Sequence, residues 1–321
     1  MAIIGYHASH EQFRPSDLLA NVLEAEQAGF EQAMCSDHFH PWSKRQGQSG
    51  FSFAWLGAAL QATASMRMGL VCAPGQRYHP AIVAQALATL GEMFPGRIWS
   101  ALGSGQALNE AITGEPWPPK AERNARLKEC VDVMRALWAG HEVSHHGRVV
   151  VEKATLYTRA ERTPMIFGAA VTAETARWVA QWADGLITIA HPEDELQPIL
   201  DAFKEGGGES KPIFLQVQVS WAPDEETALM QAHDQWRNNI FESSVLTELP
   251  LPQSFDAAGR YVRPEDMRGP VRVSSDLERH VDWLARDLEL GCDGLFLHNV
   301  GPNQRAFIEA FGDDVLPRLQ Q

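Results

Sequence analysis

The chain has 321 residues, 45% hydrophobic and 21% charged, a composition that fits a folded globular protein and excludes a disordered one. Its 27 Lys and Arg against 41 Asp and Glu leave a net charge of −14, which argues against nucleic acid or an anionic membrane as a partner. No apolar run reaches the roughly 18 residues of a membrane span, and Met1–Tyr6 lacks the basic segment of a signal peptide. The four cysteines, Cys35, Cys72, Cys130 and Cys292, have no CxxC spacing, so reduced thiols and a cytoplasmic location are expected.

In chain order, short apolar runs alternate with segments of helical period. Ala2–Tyr6 reads as a strand, and Pro15–Ala28 as a helix with Pro in its first turn and Gly29 after its end. A strand at Gln32–Cys35, a helix at Phe51–Ala62, a strand at Arg67–Ala73 and a helix at Pro80–Met93 follow. Arg97–Leu102 is the fourth strand, with helical segments at Gln106–Ala111 and Lys120–Ala139 behind it. Val143–Tyr157 alternates around His146 and Gly147 and predicts an inserted β-hairpin. The rhythm resumes with strands at Met165–Gly168, Gly185–Ile189, Ile213–Val219 and Gly294–His298. Helices at Thr172–Ala183, Glu193–Lys204, from Asp224, and at Ser275–Leu290 lie between them. Eight strands alternating with helices predict a single (β/α)8 TIM barrel over residues 1–321, with insertions after strand 4 and between strands 7 and 8. The second insertion, residues 236–272, is rich in proline from Asn238 onward. It reads as a lid over the barrel mouth or as an outer contact between subunits.

In such a barrel the active site is built at the carboxyl ends of the strands. Four successive loops there carry polar residues: Asp37-His38-Phe39-His40-Pro41-Trp42, Cys72–Pro80, Gly103-Ser104-Gly105-Gln106-Ala107-Leu108-Asn109-Glu110, and Gly168-Ala169-Ala170-Val171-Thr172. Each has a plain structural reading: a capping Asp37, a tight turn at Ser104, or close packing at Gly168–Ala170. Together they favour a shared mouth. The loops at Gly103–Gly105 and Gly168–Thr172 both offer backbone N–H groups at a helix N-terminus, which suits a phosphate. With His38 and Trp42 beside them, they point to a cofactor with a phosphate tail and a flat ring. His38-Phe39-His40 also has the HxH look of a zinc site. A metal-dependent barrel hydrolase using His38 and His40, with His79, His191 or His298, is therefore the alternative.

Further order-preserving motifs extend the pattern: Ser36-Asp37-His38-Phe39-x-Pro41-Trp42, then Arg77-Tyr78-x-Pro80-Ala81-x-Val83-Ala84-Gln85-Ala86, then Gly105-x-Ala107-Leu108-Asn109-Glu110. Trp182-Ala183-Asp184-Gly185, His298 and Gln304-Arg305 complete it. In these the chain resembles the luciferase-like superfamily of flavin- and deazaflavin-dependent oxidoreductases, and within it the F420-dependent glucose-6-phosphate dehydrogenase branch. The resemblance implies a flavin-type ring over the carboxyl ends of the strands. A non-proline cis peptide within Leu70-Val71-Cys72 would support the face of that ring. It further implies that His38 exchanges a proton with substrate, Trp42 packs beside it, and Asp37 bonds the ring system. Ser104, Gly105 and Asn109 would contact the cofactor's edge or tail. A homodimer, and a nicotinamide or flavin reductase as electron donor, are family expectations.

Two departures qualify this. Gln106 stands where the branch has a proton-donating glutamate, and an amide cannot donate a proton at neutral pH. The loop Thr188–Glu195 is acidic where the branch holds a sugar phosphate with basic groups, so a dianionic substrate should be repelled. The acidic chain shows no basic groove for a polyglutamate tail, which places FMN ahead of F420. The reaction expected is hydride transfer or monooxygenation of a small organic substrate. A non-catalytic flavin-binding protein is the remaining alternative, motivated by the missing acid at Gln106.

Overall fold

The computed structural model describes residues 2–320. Its strands are β1 Ile3–Ala8, β2 Gln32–Ser36, β3 Arg67–Cys72, β4 Ile98–Leu102, β5 Val143–His146, β6 Val150–Ala154, β7 Met165–Ala169, β8 Gly185–Ile189, β9 Ile213–Ser220, β10 Arg272–Val273 and β11 Gly294–Asn299. Eight of them form a closed parallel ring in the order β9-β11-β1-β2-β3-β4-β7-β8, with β8 pairing back onto β9. β5 and β6 form the expected antiparallel hairpin. The two-residue β10 extends the ring by pairing with Val219 and Ser220.

Helices separate the strands and start where the sequence provides a proper first turn. Pro15 and Pro80 open two of them, and Thr172, Asp224 and Asp276 cap others through their side-chain oxygens. The strands bury both faces, as a parallel sheet under helices must. Outward residues such as Cys35, Leu70, Cys72, Leu186 and Leu215 join the helix layer in one large apolar cluster. Inward residues Met34, Trp99, Phe167, Phe214 and Phe296 form a second cluster that plugs the barrel floor.

Glycines on neighbouring strands make room for these rings. A Cβ on Gly69 would lie 2.2 Å from the Trp99 ring, and one on Gly5 2.5 Å from Phe296. Phe167 stacks on Phe214 at 4.3 Å, and Trp99 Nε1 donates to Gln32 Oε1 at 3.1 Å, so the plug leaves no orphaned indole. Each buried aromatic ring supplies roughly 4–6 kcal/mol of transfer free energy. The floor is therefore rigid, and chemistry is confined to the rim above it.

Three expectations change. The helix expected over Thr172–Ala183 is shorter, Ala173–Val179. Residues 236–272 are not irregular: they hold short helices at Ser243–Leu246 and Pro252–Gly259 and 3-10 turns at Arg237–Asn239 and Pro264–Arg268. Past β11, where no further element was expected, helices Gln304–Asp314 and Leu316–Leu319 close the ring against the helix Pro15–Gln27. Phe307, Ile308, Phe311 and Val315 are their buried face, a helical spacing that was legible in the chain.

Candidate active site

The turn that leaves β1 carries the residue on which the site is built. Glu11 is 3% exposed, and its carboxylate accepts from the hydroxyls of Ser9 at 3.0 Å and of Ser36 at 2.5 Å. His38, in the turn after β2, places Nε2 3.3 Å from Glu11 Oε1. Burial pushes the Glu11 carboxyl upward, but the His38 ring and the Ser36 hydroxyl outweigh it and hold the group below its usual range. The other His38 nitrogen, Nδ1, lies 3.3 Å from the His40 carbonyl oxygen. Both ring nitrogens thus face acceptors, an arrangement able to hold a proton taken from a substrate. Trp42 packs against His38 with ring centres 5.0 Å apart.

Asp37 does not reach outward. Its oxygens accept from Ser52, Tyr78 and Arg77, and Arg77 also stands 3.5 Å from Glu110. Burial raises the Glu110 carboxyl, with Arg77 opposing. This buried ion cluster ties the β2, β3 and β4 loops together, so Asp37 orients the wall instead of presenting a free carboxylate. His40 is likewise engaged, its Nδ1 lying 2.8 Å from the Leu108 carbonyl. Among the described residues no group of three His, Cys, Asp or Glu side chains is placed to hold a metal ion.

The β3 wall differs from expectation. Among the described residues no peptide bond is cis; β3 continues its ladder with β4 through Cys72, which pairs with Leu102. Strand alternation turns Leu70 and Cys72 outward into the helix layer and leaves Val71 alone facing the interior. Gly168 also faces outward: a Cβ there would lie 2.5 Å from Val179, so close packing explains that glycine. Ala169 faces in, beside Val71, while Ala170 is buried among the helices.

On the β4 loop, Gly105 has φ +86°, a conformation open to glycine at little cost. Ser104 Oγ bonds Lys120 Nζ at 2.9 Å. Asn109 Oδ1 accepts from the backbone N–H of Phe39 and His40, and its Nδ2 donates to Gln106 Oε1. Gln106 and Asn109 therefore brace the His38 turn.

Residues 236–272 make contacts with these loops. Phe255 meets the Trp42 ring edge-on at 5.2 Å, Thr247 accepts from the Ala107 N–H, and Glu248 pairs with Arg123. Trp42 is 7% exposed as a result. Between the β8 loop and the helix Leu277–Glu289 a cleft of about 290 Å³ is lined by His191, Glu193, Gln218, Arg268, Arg272, Arg279, Arg286 and Asp287. Arg268 pairs with Glu225 and Arg272 with Asp287; Arg279 and Arg286 have no such ion pair among the described residues. The acidic loop thus borders a basic cleft, and its charge alone does not repel a dianionic group.

Glu11, Gln12 and His7 went unselected in the sequence, although Ser9-His10-Glu11-Gln12 is a polar run directly after a strand, the same signal that marked the other four loops. His298 was marked there as part of the motif pattern and as a spare metal ligand, with no role at the mouth.

The luciferase-like monooxygenase family pattern matches residues 3–293. The F420-dependent glucose-6-phosphate dehydrogenase of Beutenbergia cavernae is 35% identical over 100% of this chain and 98% of its own length. That of Mycolicibacterium smegmatis is 33% identical over 99% and 98%. Among solved structures, an F420-dependent secondary alcohol dehydrogenase in complex with an F420-acetone adduct superposes with a TM-score of 0.92 at 30% identity, covering 100% of this chain and 99% of that one. The chain belongs to the luciferase-like monooxygenase family and is an enzyme of its flavin- and F420-dependent oxidoreductase type.

Proposed function

We propose that this enzyme is an F420-dependent dehydrogenase of a small alcohol, with His38 as its acid–base group. The observation that carries this reading is the His38–Glu11 pair at the barrel mouth, under Trp42. When bound, F420 would accept the hydride from the alcohol carbon. His38 Nε2 would take the hydroxyl proton, and the products would be the ketone or lactone and the reduced cofactor. The buried carboxylate of Glu11 would stabilise the cation formed on His38 and fix its ring. Trp42 and the 236–272 segment would exclude water, which gives that segment a lid's role.

The residues present fit the cofactor. Val71 and Ala169 leave an apolar, small-walled face above the aromatic floor, and the Ser104-Gly105 turn carries Lys120 beside it. Lys120 has no ion pair among the described residues, so it would hold an anionic tail. FMN was preferred because no basic groove was evident; Lys120 removes that reason, and the relatives named above are F420-dependent. Gln106, an amide, would position and not donate, which leaves His38 as the proton-handling group.

The test is reduction of F420 by glucose 6-phosphate and by propan-2-ol, followed as loss of the oxidised cofactor's absorbance. Reduction by either supports the reading. Failure to bind F420, with FMN bound instead, would overturn it.

A further inference from the structure

Next to the His38–Glu11 pair lies a second pair of imidazoles with no part in the chemistry described above. His7 on β1 and His298 on β11 face inward from adjacent strands, with ring centres 4.5 Å apart. They are 5% and 1% exposed. Trp236, where the 236–272 segment begins, closes over His298 edge-on at 4.6 Å. Gln12, which follows Glu11 in the turn after β1, bonds His298 at 2.8 Å, so the two pairs share one neighbourhood.

The hydrogen bonds around Gln12 fix the protonation of His298. Gln12 Nε2 donates to the Val300 carbonyl at 2.8 Å and to Gln235 Oε1 at 3.2 Å. Its Oε1 must therefore be the atom 2.8 Å from His298 Nε2, and that nitrogen carries the hydrogen. Burial lowers both imidazoles well under their ordinary range, so His298 is neutral and its Nδ1 is a bare acceptor. That Nδ1 is buried with no donor, and His7 Nδ1 is buried with no partner either. Buried polar atoms left unmatched cost stability and are rare without a purpose. A substrate hydroxyl, donor and acceptor at once, can answer both, taking the place that water would hold without substrate.

We propose that His298 Nδ1 and His7 bind a second hydroxyl of the substrate, next to the one oxidised at His38, and so select vicinal diols and polyols over simple secondary alcohols. This rests on the dehydrogenase reading. An apolar substituent at that place would leave both nitrogens unmatched, whereas a hydroxyl would satisfy them, and sites built on such bonds discriminate strongly against analogues that lack the group.

Two variants test it: His298→Phe, which keeps a ring between His7 and Trp236, and His7→Phe as a second probe should the first misfold. F420 binding, read by fluorescence, verifies that each is folded. The quantity compared is the ratio of kcat/KM for propane-1,2-diol to that for propan-2-ol. The expected result is a fall in this ratio of roughly 5- to 150-fold in both variants, the range for leaving a buried hydrogen-bonding group unmatched. A ratio unchanged in folded variants would overturn the proposal. If the wild type reduces no F420 at all, the dehydrogenase reading has failed, and imidazole ¹⁵N NMR of the unmodified protein decides the binding claim by itself. A His298 Nδ1 resonance that shifts as glycerol is added supports it; one that stays fixed refutes it.

Discussion

Nε2 of His38 lies 3.3 Å from the carboxylate of Glu11, so a carboxylate from the first strand's turn holds an imidazole from the second. Neither side chain is free to leave: Ser9 and Ser36 hold the carboxylate, and Trp42 packs on the imidazole. If His38 handles the proton, His38→Ala slows turnover by roughly 10²–10⁴-fold, the usual loss of an acid–base group. F420 binding should persist. Steady-state rates alongside a fluorescence titration check this, and an unaffected kcat would make His38 structural.

Glu11→Gln keeps the shape and removes the charge. It should lower kcat more than it raises KM, because the cation formed on His38 during turnover loses its partner. The same carboxyl sits below its usual range in the folded state, so the unfolded chain binds its proton first. Its stabilising contribution is present above the ordinary carboxylate pKa and is lost as pH falls through the folded value. Urea unfolding at several acidic pH values should therefore be less steeply pH-dependent in Glu11→Gln.

His7 and His280 are each pushed down to about 4 by burial. The unfolded chain takes up these protons near pH 6.5 and the folded chain only near 4, so stability should fall as pH drops across that interval and level off below it. Each contributes up to ~3 kcal/mol. His280, whose ring contacts the Ser274 carbonyl and the Phe311 ring and has no role in the proposed chemistry, offers the cleaner variant: His280→Gln should flatten the profile in thermal melts.

Arg77 stands between two buried carboxylates, with side chains 7%, 1% and 2% exposed for Arg77, Asp37 and Glu110. Arg77→Met would strand both acids, and such a loss costs about 3–5 kcal/mol. Chemical denaturation should show it, together with weaker order in the His38 turn; a stable variant would mean that the cluster is not structural.

Lys120→Ala should weaken F420 binding several-fold and reduce its dependence on salt, since the ammonium beside Ser104 is an exposed charge open to screening. Equal salt slopes would place the cofactor's tail elsewhere.

Barrel strands and their order were legible because a parallel sheet buried on both faces reads as short apolar runs at regular spacing. The position of His38, Trp42, Ser104 and Asn109 at the mouth was legible because the carboxyl-end rule locates them. Glu11 met the same rule and was passed over, since a single acid in Ser9-His10-Glu11-Gln12 looks like any solvated turn until Ser36 and His38 are folded onto it. The outward turn of Leu70, Cys72 and Gly168 was hidden by register: one residue's shift exchanges lumen for helix layer. The basic cleft was hidden by sequence distance. Arg272, Arg279 and Arg286 are far from the acidic Thr188–Glu195 loop in the chain and adjacent to it in the fold.

The most direct measurement is F420 reduction by wild type and His38→Ala, each first shown to bind F420, with glucose 6-phosphate and propan-2-ol as donors. Loss of oxidised F420 with at least one donor, slowed roughly 10²–10⁴-fold in the variant, is the predicted result. Equal rates in the two proteins, or a wild type that takes up FMN and leaves F420 unbound, would contradict it.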